Sequence, residues 1–260
     1  MKVSTIVLIV GGLVIGYMSL KLLVVALVVF TAYMLTQKYE LFSEDTRFLS
    51  KSEFERVLDE DKDGFLGGLT EMDLYARRAS SRQDYLERAK RLTSDFTAGE
   101  KSRILNIIKT IQSKDLSHFG IDSIKWDKLK LIFAKSEYED GYPHTRGDII
   151  VLNDNTLSRS DSDLRNTIIH EKVHIYQKAY PHDIRAFLDG AGFTIADHRK
   201  SYRLARANPD LDQFVYKSRD GTIHMSEYRS DKPSGIWDIT GTSDGEHPLE
   251  MMAYRIANEY

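Results

Sequence analysis

An apolar N-terminal stretch constrains this chain more than any other feature of its sequence. Residues 5–35 carry one charged side chain, Lys21, although Asp, Glu, Lys and Arg make up 29% of all 260 residues. About 20 apolar residues are enough for a helix to cross the hydrocarbon core of a bilayer. The chain is therefore an apolar end joined to a polar globular body, and we expect residues 1–38 to anchor it in a membrane.

The length of the apolar stretch leaves two arrangements open. As a straight helix, residues 5–35 would extend about 46 Å, whereas the hydrocarbon core is about 30 Å thick. One long tilted span and a short hairpin that turns near residues 16–21 both accommodate this length. The run is too long for a signal peptide and no Ala-x-Ala site follows it, so we expect no cleavage. Positive side chains lie on both flanks and favour neither orientation in the membrane.

Charge and cysteine content exclude several functions for the body. The net charge is −3 and the pI is about 6.3, and no basic stripe interrupts this balance, so we expect no nucleic-acid binding. The absence of cysteine excludes disulfides, thiolate nucleophiles and Cys-ligated zinc. Any metal ligands must therefore be His, Asp or Glu.

The body divides by pattern into a linker at 39–50, a helical lobe at 51–115 and a catalytic domain at 116–260. Residues 81–93 have apolar side chains at helical spacing, and residues 97–100 read as a capping box ahead of a second helix.

The catalytic domain combines strands and helices. Residues 127–135 and 147–153 are rich in β-forming residues, which predicts strands of a small sheet, and the pattern from residue 161 onward is helical, interrupted by prolines. The sequence therefore predicts an α+β fold, mostly helical with a small sheet.

A His-Glu-x-x-His motif carries the chemistry of the chain. Four residues are slightly more than one helical turn, so His170 and His174 lie on the same helix face and can both bind one tetrahedral metal. Glu171 lies beside them, where it can take a proton from a water that zinc has activated and pass it to the leaving amine. This pattern is typical of peptide-bond hydrolysis.

A catalytic zinc needs a third protein ligand. Pro248 is well placed to open a C-terminal helix, with Glu250 on its first turn and the small Ala253 one turn further along the same face. We therefore favour Glu250 as the third ligand, with His247 or a more distant acid as alternatives. His247 and Tyr254 flank Glu250 and are our candidates for stabilising the oxyanion of the transition state.

These residues resemble a known family. The motif and the downstream Glu-x-x-Ala resemble the gluzincin branch of zincin metallopeptidases, and the longer combination is similar to uncharacterised zincin-like peptidases of large DNA viruses. The resemblance covers about residues 100–260 and implies a zincin-like domain in which His170, His174 and Glu250 bind zinc and Glu171 is the base. The segments that carry it are Pro143-His144-Thr145-Arg146 with Asp148-Ile149-Ile150, His170 through Gln177, Asn208-Pro209-Asp210-Leu211-Asp212, and His247-Pro248-x-Glu250.

A second motif favours a different function. Asp59, Asp61 and Asp63 have the spacing of the first half of an EF-hand loop, but Thr70 occupies the twelfth position, where calcium needs a bidentate Glu. We therefore prefer an acidic turn between helices to a calcium site.

The expected function is that of a membrane-anchored zinc-dependent peptidase. Its substrate, a protein or peptide, would lie in a cleft between two lobes and pair with an edge strand at 147–153. The alternative is a non-catalytic membrane-bound adaptor, structural or calcium-responsive, with at most a structural metal site.

Overall fold

The computed structural model describes residues 46–240 and 246–260 of the chain. The predicted membrane segment and most of the predicted linker lie outside the described residues. The helices of the described part fall short of the combined length and apolarity that a bilayer crossing requires.

A five-stranded mixed sheet lies at the centre of the fold. Its strands are β1 (Thr46–Phe48), β2 (Thr93–Ser94), β3 (Leu131–Ser136), β4 (His144–Arg146) and β5 (Ile149–Leu152). In the order β1-β3-β5-β4, the first three strands are parallel and β4 is antiparallel, while β2 pairs with the end of β3. All four residues of β5 are buried, which explains why this strand is a continuous apolar run.

The edge of this sheet is β4, and the prediction that residues 147–153 form the edge is wrong. Strand β5 lies between β3 and β4, so neither of its sides is free. A two-residue turn joins β4 to β5, and its first residue, Gly147, has a φ of 60°, in the left-handed region that glycine tolerates. This turn folds β4 back along β5 and places it at the edge.

Ten α-helices surround the sheet in the described residues. The helix predicted at 81–93 is confirmed as α4, and the predicted capping box is present, because Thr97 and Glu100 exchange side-chain and backbone hydrogen bonds. The helices are α1 (Lys51–Glu60), α2 (Phe65–Gly68), α3 (Glu71–Ala76), α4 (Arg82–Arg91), α5 (Ala98–Thr110), α6 (Ser123–Asp127), α7 (Asp154–Ser158), α8 (Asp161–Ala179), α9 (Pro181–Ala191) and α10 (Pro248–Glu259).

The strand predicted at 127–135 is displaced. The structure has helix α6 up to Asp127 and begins β3 only at Leu131. Asp122 caps α6 by accepting a hydrogen bond from the backbone N–H of Lys125, and Trp126 of this helix is buried. Capping and burial together outweigh the strand preference of these residues.

A second, three-stranded antiparallel sheet occupies a region that the sequence pattern predicted as helical. It consists of β6 (Thr194–His198), β7 (Phe214–Lys217) and β8 (Ile223–His224), with a register irregularity between β6 and β7. Such short strands are stabilised by partners distant in sequence, so a local pattern does not reveal them.

Residues 51–115 do not form a lobe of their own. Strands β1 and β2 flank and interrupt them, and both pair with β3. Phe54 and Leu58 of α1 share one apolar cluster with Ala134 and Val151 of the sheet. The described chain is one compact unit, so the predicted boundary between residues 115 and 116 does not divide it.

Buried ion pairs connect helix α3 to the C-terminal half of the chain. Arg77 donates to both carboxylate oxygens of Glu139, at 2.8 and 2.6 Å, and to the carbonyl oxygen of Ala207 at 3.0 Å. Asp73 accepts from Arg199 at 2.9 Å and from the backbone N–H of Ala207 at 2.8 Å. Since buried charges require partners, this network holds the segment around Ala207 in one position.

Replacing Arg77 by Ala should destabilise the fold strongly. The change leaves Glu139 buried without its cation, which lowers the free energy of unfolding by about 3–5 kcal/mol. Urea denaturation measures this loss. As a matched control, Arg56→Ala on the exposed face of α1 should change the same free energy by less than about 0.5 kcal/mol. Equal effects of the two changes would contradict the role of the network.

Candidate metal centre

Helix α8 holds the His-Glu-x-x-His motif in the interior of the protein. Ser160 caps its N-terminus by accepting from the backbone N–H of Asp163. Ile168 packs into the apolar cluster of the central sheet, whereas Ile169 and Val173 pack into the cluster that contains α10. The helix is therefore fixed between the sheet and α10.

Helix α10 brings an acidic side chain to this motif. Pro248 is its first residue, and Glu250 lies in its first turn. Ala253 is fully buried in the cluster that also contains Ile169 and Val173. The small side chain at this position lets the two helices approach closely, as the sequence predicted.

Three potential ligand atoms converge where α8 and α10 meet. The Nε2 atoms of His170 and His174 are 3.1 Å apart. Oε2 of Glu250 lies 3.3 Å from Nε2 of His170 and 3.5 Å from Nε2 of His174. In the described residues, these three side chains form a group that can hold a metal ion.

The separations fit a tetrahedral zinc site. Zinc lies about 2.0–2.2 Å from nitrogen and oxygen ligands, so the ligand atoms of a tetrahedral site are about 3.3–3.6 Å apart. The observed distances of 3.1–3.5 Å are close to this range. Two imidazoles and one carboxylate are also a donor set that zinc uses in catalytic sites, with one position left for water or substrate.

A hydrogen bond sets the orientation of the His174 ring. Its Nδ1 atom lies 2.8 Å from Oε1 of Gln177, an acceptor, so Nδ1 carries a proton and Nε2, which faces Glu250 and His170, is the nitrogen available to a metal. The amide of Gln177 donates in turn to the carbonyl oxygen of Leu249 at 3.0 Å. Gln177 therefore positions a ligand and ties α8 to α10.

Asn208 positions the carboxylate of Glu250. Its Nδ2 atom donates to Oε1 of Glu250 at 2.7 Å, which leaves Oε2 directed at the two histidines. Such supporting contacts around a metal ligand restrict its orientation and raise metal affinity.

Electrostatics couple the three side chains. Burial opposes ionisation of Glu250, but His174 and His170 outweigh this effect and hold the pKa of Glu250 well below its usual value. Burial likewise opposes the charged form of His174, but Glu250 outweighs it and raises the pKa of His174. The carboxylate is thus kept in the ionised form that a metal requires.

Glu171 lies next to this group, and its side chain is buried. The side chain is 3% exposed, and its Oε2 atom has no hydrogen-bond partner in the described part of the chain. Burial, and then the carboxylates of Asp210 and Glu250, raise the pKa of Glu171 well above its usual value. A bound cation nearby would favour the ionised form again, since opposite charges stabilise each other.

Side chains already occupy the outward backbone groups of Thr145, the central residue of the edge strand β4. The backbone N–H and Oγ1 of Thr145 both donate to Oδ1 of Asp210, at 2.5 and 3.1 Å. Lys178 donates to the carbonyl oxygen and Oγ1 of Thr145 and to the carbonyl oxygen of Pro209. Because both outward backbone groups of Thr145 are occupied, a substrate cannot extend the sheet there, which removes the basis for the predicted pairing with an edge strand.

A cavity of about 610 Å³ opens onto the candidate ligands. His170, Glu171 and Glu250 form part of its wall. Other side chains that line it come from β4, from the segment 206–210 and from the loop that contains Trp237. The candidate ligands therefore face an open cavity.

Tyr254 and His247, the predicted oxyanion donors, lie in different places. Tyr254 lines the cavity with its ring 4.6 Å from that of His170. Burial, and then Glu250, raise the pKa of Tyr254 to about 12, so its hydroxyl stays protonated and can donate.

The structure does not bring His247 into the cavity, which corrects our prediction for this residue. Its Nδ1 atom accepts from the backbone N–H of Leu249, and Nε2 lies 3.2 Å from the carbonyl oxygen of Phe214 and 3.6 Å from Oδ1 of Asp212. The N-cap position turns the ring away from the metal ligands, so His247 supports the helix.

The acidic turn after α1 has its carboxylates engaged by protein groups. Arg146 contacts Asp61 at 3.1 Å and Asp63 at 2.7 Å. Asp61 also accepts from two backbone N–H groups of α2, and Asp59 pairs with Lys90 at 2.9 Å. A guanidinium therefore lies among the carboxylates that calcium would need.

Sequence reasoning missed three supporting residues. Gln177 lies three positions after His174, where helix geometry alone places it beside that ring. Asn208 and Asp210 stood in a segment that the family resemblance singled out, but nothing in the local sequence showed which side chains they contact.

Comparisons with known proteins returned no match. No protein-family model, no curated protein and no solved structure matches the chain. The motif and the geometry of the site are therefore the observations that bear on function.

Zinc affinity should rank three variants in one order. Glu250→Ala removes a ligand and should strip the metal, Asn208→Ala loosens that ligand and should weaken zinc by about 10–100-fold, and His247→Ala should leave affinity unchanged. Zinc content and competition with a chelating dye measure the order, and circular dichroism verifies folding. Loss of zinc in His247→Ala with retention in Glu250→Ala would instead indicate a three-histidine site.

Proposed function

We propose that this chain is a zinc-dependent peptidase with a gluzincin-like catalytic domain. One observation carries the proposal: Glu250 of α10, 76 residues after His174 in sequence, meets both histidines of the motif within 3.5 Å. A His-Glu-x-x-His sequence arises by chance in some chains, but convergence of a third ligand from a separate helix is the arrangement that zinc catalysis needs.

His170, His174 and Glu250 would hold the metal. When bound, zinc supplies a Lewis acid that polarises the scissile carbonyl and lowers the pKa of water toward about 7. Gln177 and Asn208 keep two of the ligands in their orientations and thereby limit reorganisation during turnover.

Glu171 acts as the general base. It follows His170 directly, lines the same cavity and has an oxygen without a hydrogen-bond partner in the described residues. This oxygen can accept a proton from the attacking water and transfer it to the leaving amine. The side chain is 3% exposed, so its contact with bulk solvent, which would compete for the carboxylate, is limited.

Tyr254 is the donor available to a developing oxyanion. Its ring lies against His170, and its hydroxyl stays protonated because its pKa is raised to about 12. A donor directed at developing charge stabilises the transition state more than the substrate. His247 has no part in this step, since its ring bonds elsewhere.

Glu171→Gln should abolish peptidase activity without removing zinc. Gln has nearly the same shape but cannot accept the proton, so turnover should fall by about 10²–10⁴-fold. Mass spectrometry of a denatured protein substrate measures the hydrolysis, and metal analysis of the variant measures its zinc content. The matched control is Glu60→Gln, an exposed position on α1, which should match the unmodified protein. Full activity in Glu171→Gln would assign hydrolysis to another source.

We also propose that residues 1–38 hold the protein in a membrane. The support is the sequence itself, in which residues 5–35 carry one charged side chain. A peptidase attached in this way would act on protein or peptide substrates near the bilayer surface.

After alkaline carbonate extraction, the full-length chain should stay in the membrane pellet, because an inserted apolar segment is not released by disrupting electrostatic contacts. Immunoblotting of pellet and supernatant measures the partition. A chain with two Asp residues introduced within 22–30 serves as the control and should shift toward the supernatant. Release of the unmodified chain would exclude an inserted anchor.

A further inference from the structure

Unpartnered polar atoms concentrate in the catalytic cavity. Eight buried side-chain nitrogen or oxygen atoms lack a hydrogen-bond partner in the described residues. Four of them belong to side chains that line the cavity, namely Nε2 of His144, Oδ1 of Asn166, Oε2 of Glu171 and Nε of Arg206. Since buried polar groups normally have partners, the concentration indicates that a polar ligand completes this site.

In the described residues, Arg206 differs from the buried arginines in having no carboxylate partner; Arg165, which lines a different cavity, likewise has an Nε atom without a partner. The three buried arginines each pair with a carboxylate: Arg77 with Glu139, Arg146 with Asp63, and Arg199 with Asp73. Arg206 is partly buried, and within the described residues its side chain makes one hydrogen bond, a long contact of 3.5 Å from Nη1 to the carbonyl oxygen of Ile236. A permanent positive charge with so few contacts to the described residues is available to bind an anion.

The position of Arg206 relates it to the metal ligands. It lies two residues before Asn208, the residue that holds Glu250, and both side chains line the cavity. A separation of two residues keeps the Cα atoms of Arg206 and Asn208 within about 7 Å of each other, so the two side chains enter the cavity from neighbouring points of the chain. Ala207, between them, is held by Asp73 and Arg77, which makes the segment a rigid support.

We propose that Arg206 binds a carboxylate of the substrate, so that this site selects peptides with a negative charge within one or two residues of the cleaved bond. The inference rests on the proposed peptidase function and adds a substrate class to it. Two sources supply the same chemistry: the C-terminal carboxylate of a peptide, or the side chain of Asp or Glu. Guanidinium and carboxylate pair through two parallel hydrogen bonds, which gives direction as well as charge.

Two other charged residues of the cavity bear on this assignment. Arg159 is exposed at the cavity wall and is the competing cation. Glu246 also lines the cavity and is close enough to interact electrostatically with Arg206, but no ion pair links them in the described residues. Glu246→Gln should therefore strengthen carboxylate binding, because it removes a competing negative charge.

The first experiment measures cleavage. Full-length protein is incubated with a randomised peptide library made with free and with amidated C-termini, and mass spectrometry locates the cleaved bonds. We expect a carboxylate near the cleaved bond, and amidation or Glu-to-Gln exchange in a defined peptide should lower kcat/KM by about 10–100-fold, the range of a charge-assisted hydrogen bond. If only amidation lowers kcat/KM, the recognised group is the C-terminal carboxylate. If only the Glu-to-Gln exchange lowers it, the recognised group is a side chain.

The second experiment measures binding without cleavage. Calorimetry on the Glu171→Gln variant measures the affinity for two pairs of peptides. The first pair is acetyl-Ala-Glu-Ala-amide and its Gln counterpart, and the second is acetyl-tri-alanine and its amide. Each affinity is measured with and without a zinc chelator. We expect the carboxylate forms to bind about 10–100-fold more tightly. Arg206→Gln should remove this difference, and Arg206→Lys should restore part of it. Arg203→Gln, an exposed position three residues earlier, should leave it unchanged.

The two experiments separate the two proposals. If no peptide is cut but Arg206 still determines carboxylate binding, the peptidase function fails and the anion site stands. If peptides are cut without regard to charge, the anion site fails and the peptidase function stands. A preference for carboxylate peptides that persists in Arg206→Gln overturns the inference. If the chelator then removes this preference, the metal binds the carboxylate. If Arg159→Gln removes it, Arg159 binds the carboxylate.

Discussion

The burial of one carboxylate between two helices sets the arrangement of the whole site. Glu250 is removed from water where α8 and α10 pack together, and an ionised group in that position requires compensation from its neighbours. The two imidazoles and Asn208 provide it. Gln177 contributes to the same junction, since it bonds to the His174 ring and to the backbone of α10. Helix packing and ligand geometry are therefore satisfied by one set of contacts.

The segment 205–210 links this junction to the rest of the protein. Four of its residues line the cavity: Arg206, which has no carboxylate partner in the described residues, Asn208, which bonds to Glu250, Pro209, and Asp210, whose charge acts on Glu171. Its backbone is held at Ala207 by the buried charges of α3. These hydrogen bonds connect the N-terminal helices to the segment that lines the cavity.

The hydrogen bonds of the edge strand β4 limit how the proposed peptidase can bind a substrate. The outward groups of Thr145 are bound by Asp210 and Lys178, so backbone pairing at that point is unavailable to a peptide. In the proposed peptidase, substrate contacts come from side chains that line the cavity. The guanidinium of Arg206, which has no carboxylate partner in the described residues, and the exposed Tyr254 line the same cavity as the candidate ligands and favour recognition of charge and shape.

The sequence by itself determined what depends on neighbouring residues. His170 and His174 face one way because of helical spacing, Thr97 caps its helix, and Ala253 lies on the same face of its helix as Glu250. The motif, the mixed fold and the candidate third ligand were readable for this reason. Tertiary structure decided the rest. It turned the His247 ring toward Phe214, placed β5 between β3 and β4, paired the acidic turn with Arg146 and joined residues 51–115 to the central sheet. Each of these depends on contacts between residues distant in sequence, and such contacts exist only once the chain has folded.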